Sequence, residues 1–129
     1  MNDKYDKKIL IVDDESANIL LLNKILSFDG YKNIVTTLVP KEVYLLHEEH
    51  GFDLILLDIN MPDMDGYAVL DMLRNMDGFA TTAVVATSGD TSPRDIKKAL
   101  AAGFVDYITK PMRMNDLLEI IDKALRANI

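Results

Sequence analysis

The stretch that decides the fold runs from residue 52 to residue 66 and reads Phe-Asp-Leu-Ile-Leu-Leu-Asp-Ile-Asn-Met-Pro-Asp-Met-Asp-Gly. Its apolar run, residues 54–57, has no helical periodicity, which is typical of a strand that is buried on both faces. Asp58 ends the run, and turn-forming residues follow it as far as Gly66. An aspartate is therefore predicted at the carboxyl end of a buried strand, where open parallel α/β sheets bind their ligands.

Four more strands are predicted along the chain, and a helix separates each strand from the next. The predicted strands are residues 9–12, 33–37, 54–57, 83–86 and 104–109, and the helices carry residues 21–28, 40–51, 66–76, 93–103 and 115–127. This alternation predicts an α/β fold with a five-stranded parallel sheet in the flavodoxin-like order 2-1-3-4-5 and helices on both faces. A single domain is expected over residues 1–129, with its core at about residues 8–127.

Two features of the helices are predicted from side-chain type and spacing. The apolar stripe of the first helix recurs at roughly helical intervals and comprises Leu21, Leu22, Ile25 and Phe28. His47 and His50 stand near the end of the second helix with two glutamates between them, so both are interpreted as surface residues.

Composition narrows the function classes. The 129 residues include no Cys, which excludes disulfides, thiolate zinc sites and a thiol nucleophile. Residues 1–8 are polar and lack the apolar segment of a signal peptide, and no run is long enough to span a bilayer, so a cytoplasmic protein is predicted. The net charge of −7 argues against nucleic acid or a membrane as the main partner and is compatible with a divalent cation and protein partners.

The predicted strands end in residues that could share one reaction. Asp13, Asp14, Asp58, Thr87 and Lys110 follow strands one, three, four and five, and the order 2-1-3-4-5 makes strands one and three neighbours. Acids that converge in one crevice repel each other unless a proton or cation is bound, and an all-oxygen site suits Mg²⁺. Together with a hydroxyl and a lysine, they suit phosphoryl transfer, with Asp58 as the nucleophile.

Over essentially its full length the chain resembles the receiver domain of two-component response regulators. The matching segments are residues 9–15, 57–66, 86–88, 102–107 and 109–111. The resemblance implies that Asp58 accepts a phosphoryl group from a phosphohistidine on a sensor histidine kinase or phosphotransfer protein. It also implies that Asp14, Asp58 and the main-chain carbonyl of Asn60 coordinate Mg²⁺, while Asp13 acts through water.

The resemblance further implies a switch. Lys110 would pair with the phosphoryl group, and its bond to Pro111 would be cis. Thr87 and Tyr107 would be the switch pair, the hydroxyl moving toward the phosphoryl group and the ring turning into the vacated space. The surface of the fourth helix, fifth strand and fifth helix would then control a downstream effector protein or a fused output domain. Such a domain catalyses only its own phosphorylation and dephosphorylation.

Some positions depart from the family pattern, and other functions remain open. Ser88 stands where Ala is frequent, Phe104 where a small residue is common, and Met112 where Phe is frequent. Gly89 offers no side chain that would shield an acyl phosphate from water. The alternatives are a phosphate-independent interaction module, against which the complete set of acids, Thr and Lys argues, and a small Mg²⁺-dependent phosphatase, which would favour an acid at Asn60. A flavin carrier would need a phosphate loop where the chain has acids.

Overall fold

The computed structural model describes residues 3–127, in which five strands alternate with five α-helices. The elements are β1 (Lys8–Val12), α1 (Ser16–Asp29), β2 (Asn33–Thr37), α2 (Val43–His50), β3 (Leu54–Asp58), α3 (Gly66–Arg74), β4 (Ala83–Ser88), α4 (Pro93–Ala102), β5 (Asp106–Thr109) and α5 (Met114–Ala127). Single 3₁₀ turns lie at Lys4–Asp6, Pro40–Glu42 and Phe79–Thr81. Among these helices, none has the length and apolar character that crossing a membrane requires.

The strands form one parallel sheet in the order β2-β1-β3-β4-β5, which confirms the predicted topology. Two strands run further than their apolar residues: Asp58 of β3 pairs with Thr87 of β4, and Ser88 of β4 pairs with Thr109 of β5. Backbone hydrogen bonding does not depend on side-chain polarity, so the ladder continues into the polar residues at the edge. The polar ends of these strands are thus held in register by the sheet itself.

Helices cover both faces of the sheet, as predicted for a doubly wound domain. Alternate side chains of each strand point to opposite faces, so Leu54 and Leu56 of β3 pack toward α1 and α5. Ile55 and Leu57 pack toward α2, α3 and α4 on the other face. All five residues of β3 are buried. Asp58 is therefore carried by a central strand that is packed on both faces and paired on both edges.

The predicted inward face of α1 is wrong for two residues. Leu21 is 44% exposed and Phe28 is 87% exposed, whereas Ile19, Leu22 and Leu26 form the buried face. This helix has apolar residues around most of its circumference, so its sequence contains more than one plausible stripe. Packing against the sheet selects one stripe and leaves the other in contact with solvent.

The interpretation of His47 as a surface residue is also wrong. Its side chain is buried, its Nδ1 accepts a hydrogen bond from the Phe52 backbone N–H at 3.1 Å, and its Nε2 lies 3.4 Å from the Thr82 hydroxyl. His50 is half-buried, and its ring centroid lies 5.3 Å from that of Phe52. Burial lowers the pKa of His47, so the folded protein favours the neutral ring. His47 therefore fastens the end of α2 to the chain that enters β3.

Candidate functional site

Three aspartates meet at the carboxyl edge of the sheet, where β1 and β3 lie side by side. Asp13 and Asp14 follow β1 directly, and Asp58 is the last residue of β3. Carboxylate oxygens of all three lie within 4.8 Å of one another. Asp13 and Asp58 are buried, while Asp14 is exposed, so the cluster is open to solvent on one side. The predicted convergence of the acids from strands one and three is confirmed.

Lys110 points into this cluster from the loop after β5. Its Nζ lies 3.0 Å from Asp13 Oδ2 and 3.4 Å from Asp58 Oδ1. The backbone N–H of Lys110 donates to the Ser88 carbonyl at 2.8 Å, which fixes the start of the lysine side chain. The peptide bond between Lys110 and Pro111 is cis, as predicted. The one ammonium of the site thus contacts two of the three clustered carboxylates.

The surroundings of the site raise the pKa of both Asp58 and Lys110, but for different reasons. Burial and the negative charge of Asp13 raise the pKa of the Asp58 carboxyl to about 7, although Lys110 and the Asn60 backbone N–H favour its ionised form. Burial lowers the pKa of Lys110, but its hydrogen bond to Asp13 and the two nearby carboxylates outweigh burial and raise it. Lys110 is therefore firmly cationic, whereas Asp58 holds its negative charge weakly.

The loop after β3 wraps closely around the Asp58 side chain. The backbone N–H of Asn60 donates to Asp58 Oδ1 at 3.1 Å, and the N–H of Gly66 donates to the Ile59 carbonyl at 2.9 Å. A Cβ on Gly66 would lie 2.7 Å from the Asp58 carbonyl oxygen and 2.8 Å from Ile59 Cα, which is closer than atoms can approach. The start of α3 therefore packs directly on the backbone that carries Asp58, and only glycine fits there.

Comparison with known proteins identifies the family. A family model for the response regulator receiver domain matches residues 9–122. The chain belongs to this family. The receiver domain is 35% identical to the transcriptional regulatory protein KdpE of Mycobacterium tuberculosis over 120 residues, which are 93% of this chain and 51%, about half, of KdpE.

Solved structures agree with this assignment. The CheY-like response regulator receiver domain protein of Methanospirillum hungatei has a TM-score of 0.84 and 32% identity, covering 95% of this chain and 96% of that one. The chemotaxis protein CheY4 of Vibrio cholerae has a TM-score of 0.85 and 25% identity, covering 92% and 98%. The receiver domain thus has the CheY-like form of the flavodoxin fold. It belongs to signalling by two-component systems, where phosphorylation controls the switch, and not to a family of metabolic enzymes.

Thr87 of the receiver domain stands on β4, the strand next to Asp58, and Tyr107 stands one strand further on, in β5. Thr87 is buried at the end of β4, directly opposite Asp58 in the β3–β4 register. The Tyr107 ring is 8% exposed, and its hydroxyl donates to the Asp90 carbonyl at 2.9 Å. Thr87 is therefore the strand neighbour of Asp58, whereas the Tyr107 hydroxyl contacts the loop that follows β4.

The donor set of the receiver domain fits a hard divalent cation. Carboxylates, with no sulfur or imidazole among them, are the ligands that Mg²⁺ prefers, and an open side leaves room for the waters that it retains. Receiver domains generally bind Mg²⁺ at such an acidic pocket. In this chain Asp13, Asp14 and Asp58 form a cluster of acids beside the backbone of Asn60.

Two residues of the site escape reasoning from sequence. Gly66 looks like a simple turn residue, but its role is the close approach of α3 to Asp58. Ser88 looks like a small deviation from the family pattern, but its hydroxyl oxygen accepts hydrogen bonds from the Asn60 side chain and from the Asp90 backbone. The only sign of this role in the sequence is that a polar residue follows Thr87 at the end of a buried strand.

Proposed function

We propose that this receiver domain accepts a phosphoryl group on Asp58 from the phosphohistidine of a sensor histidine kinase or phosphotransfer protein. The observation that carries the proposal is the position of Asp58, whose carboxylate lies among two other acids and 3.4 Å from the Lys110 ammonium. A carboxylate oxygen forms a bond to phosphorus while the bond from phosphorus to the donor nitrogen breaks, and the electron pair leaves with the nitrogen. The product is an acyl phosphate on Asp58.

We propose that Mg²⁺ is held by Asp14, Asp58 and the main-chain carbonyl of Asn60, with Asp13 acting through water. When bound, the cation neutralises phosphoryl oxygens and favours the ionised form of Asp58. The fit rests on the three carboxylates within 4.8 Å of one another. Asp13 also holds the Lys110 ammonium at 3.0 Å, so the lysine is already oriented before a phosphoryl group arrives.

The chemistry after transfer involves Lys110, Thr87 and Tyr107. The phosphoryl group brings negative charge and strong acceptor oxygens, which attract the Lys110 ammonium and the Thr87 hydroxyl. Thr87 is the strand neighbour of Asp58 in the sheet. We infer that Thr87 and Tyr107 are the switch pair and that α4, β5 and α5 form the output surface. The domain then catalyses its own phosphorylation and dephosphorylation and no reaction of a diffusible substrate.

The partners follow from the same assignment. We infer that the surface of α4, β5 and α5 controls a downstream effector protein or a fused output domain, and that the domain, residues 1–129 with a core at about 8–127, works in the cytoplasm. The net charge of −7 opposes direct binding of nucleic acid or of an anionic membrane.

Labelling by a small phosphodonor tests the proposal. The protein is incubated with acetyl phosphate and Mg²⁺, and its intact mass is measured against Asp58→Asn and Asp63→Asn. Asp63 is exposed in the same loop, so Asp63→Asn is a matched control that should label like the wild type. We expect one phosphoryl group on the wild type and none on Asp58→Asn or in excess EDTA. Equal labelling of Asp58→Asn would exclude Asp58 as the acceptor.

A further inference from the structure

Ser88 is buried at the end of β4 and contacts the loops that follow three different strands. The Asn60 side-chain amide donates to Ser88 Oγ at 3.0 Å, and the Asp90 backbone N–H donates to the same oxygen at 3.1 Å. The Ser88 carbonyl accepts the Lys110 N–H at 2.8 Å. Only 2% of Ser88 is exposed, so bulk water competes poorly for its hydroxyl oxygen.

The hydrogen bonds continue from Asp90 to Tyr107. Asp90 contacts Ser88 through its N–H and accepts the Tyr107 hydroxyl through its carbonyl at 2.9 Å. At the other end, Asn60 donates its backbone N–H to the Asp58 carboxylate at 3.1 Å. A continuous series of hydrogen-bonded groups therefore runs from the Asp58 carboxylate through Asn60, Ser88 and Asp90 to the ring of Tyr107.

We propose that Ser88 is a positioning residue that couples the Asn60 side chain, beside Asp58, to the contact between Asp90 and Tyr107. The inference rests on the proposed function in one respect, because the event that it transmits is the phosphorylation of Asp58. Serine suits this role because its one hydroxyl oxygen accepts two hydrogen bonds at a buried position. Alanine would fill nearly the same volume but would leave the Asn60 amide and the Asp90 N–H without this acceptor.

The two hydrogen bonds that tether Asn60 and Asp90 to Ser88 Oγ are tested first, in unphosphorylated protein. NMR spectra measure how fast the Asn60 side-chain amide and the Asp90 backbone amide exchange with water. We expect both rates to rise about threefold to tenfold in Ser88→Ala, the effect of losing one neutral hydrogen bond. Thr91→Ala is the matched control, because Thr91 is exposed in the same loop. Unchanged exchange in Ser88→Ala, or an equal rise in Thr91→Ala, would refute the tether.

The coupling is tested with a double-mutant cycle on the loss of phosphate from labelled Asp58. The rate is followed by intact mass in the wild type, Ser88→Ala, Tyr107→Phe and the double variant. If the two residues act through one series of contacts, each single change alters the rate severalfold in the same direction, and the double variant matches the single variants. Unaltered rates in the single variants, or effects that multiply in the double variant, would overturn the proposal.

A second variant and the order of the measurements separate failure of the coupling from failure of folding or of labelling. If Ser88→Ala does not fold, Asn60→Ala takes its place in the cycle, because it removes the same hydrogen bond at the exposed residue. If the wild type takes no label, the proposed function of Asp58 fails, but the exchange measurement still decides whether Ser88 holds Asn60. If the wild type labels and the effects in the cycle multiply, the function stands and the coupling through Ser88 is wrong.

Discussion

In metal-free solution at pH 8, replacing the proposed acceptor Asp58 by Asn is expected to stabilise the folded protein. Folding places the Asp58 carboxyl in a buried site beside Asp13 and raises its pKa from 3.8 to about 7. At about 1.36 kcal/mol per pKa unit, this difference corresponds to about 4 kcal/mol of lost stability once the group is ionised. Asparagine has nearly the same shape and carries no charge, so Asp58→Asn should recover a large part of that free energy.

The sign of the effect depends on pH. Between pH 3.8 and about 7 the folded protein retains a proton on Asp58 that the unfolded chain has released, so this group makes stability fall as pH rises. Below this window the carboxyl is protonated in the folded and the unfolded protein alike, so Asp58→Asn is no more stable than the wild type. Above the window the difference in their free energies of unfolding stays constant. The advantage of Asp58→Asn should therefore grow from near zero at pH 4 to its full value at pH 8.

Urea unfolding, followed by circular dichroism at pH 4, 6 and 8 in EDTA, measures this difference directly. Asp63→Asn is the control, because it removes one exposed carboxylate from the same loop and should change stability by less than about 0.5 kcal/mol. Adding Mg²⁺ should narrow the gap by stabilising the wild type more than Asp58→Asn. An Asp58→Asn protein that is less stable than the wild type at pH 8 in EDTA would refute the reasoning.

Three further predictions concern other parts of the domain. Mg²⁺ at about ten times its dissociation constant should stabilise the wild type by about 1.4 kcal/mol in thermal melts. Asp14→Asn should melt at a higher temperature than the wild type without metal, because it relieves repulsion among the three acids, and should respond little to Mg²⁺. A lower metal-free melting temperature of Asp14→Asn would contradict this repulsion. Gly66→Ala should lower the free energy of unfolding, measured in urea, by about 1–3 kcal/mol, because its Cβ would overlap the Asp58 backbone. An unchanged free energy of unfolding would show that α3 does not pack so closely on Asp58. Burial lowers the pKa of His47, so stability should fall as pH drops below about 6.5; His47→Gln should weaken this dependence in urea unfolding at pH 5 and 7.5, and an equal change in His50→Gln would argue against His47 as its source.

The parts of the fold that were predicted from sequence depend on local patterns and on topology. Short apolar runs, each followed by polar residues, located β1, β3 and β4, and the alternation of strands with helices predicted a doubly wound parallel sheet. The flavodoxin-like order expected for it is the observed order β2-β1-β3-β4-β5. That order alone brings Asp13 and Asp58 to neighbouring strand ends. The exact limits of strands were harder to predict, because β3 and β4 continue through Asp58 and Ser88, where hydrogen bonds to the next strand replace apolar burial as the reason for extended structure.

The residues that sequence reasoning misjudged take their roles from partners far along the chain. His47 is buried because Thr82, 35 residues away, meets its ring, and Ser88 is a bridge because Asn60, 28 residues away, reaches its hydroxyl. A local sequence pattern identifies a polar residue but not its hydrogen-bond partner. Once the residue is buried, it needs such a partner, which the fold can supply from anywhere along the chain. Ser88 is such a buried polar residue. A buried hydroxyl with two donors is fixed by both, so a change at Asn60 must either break a hydrogen bond or move Ser88 and Asp90 with it.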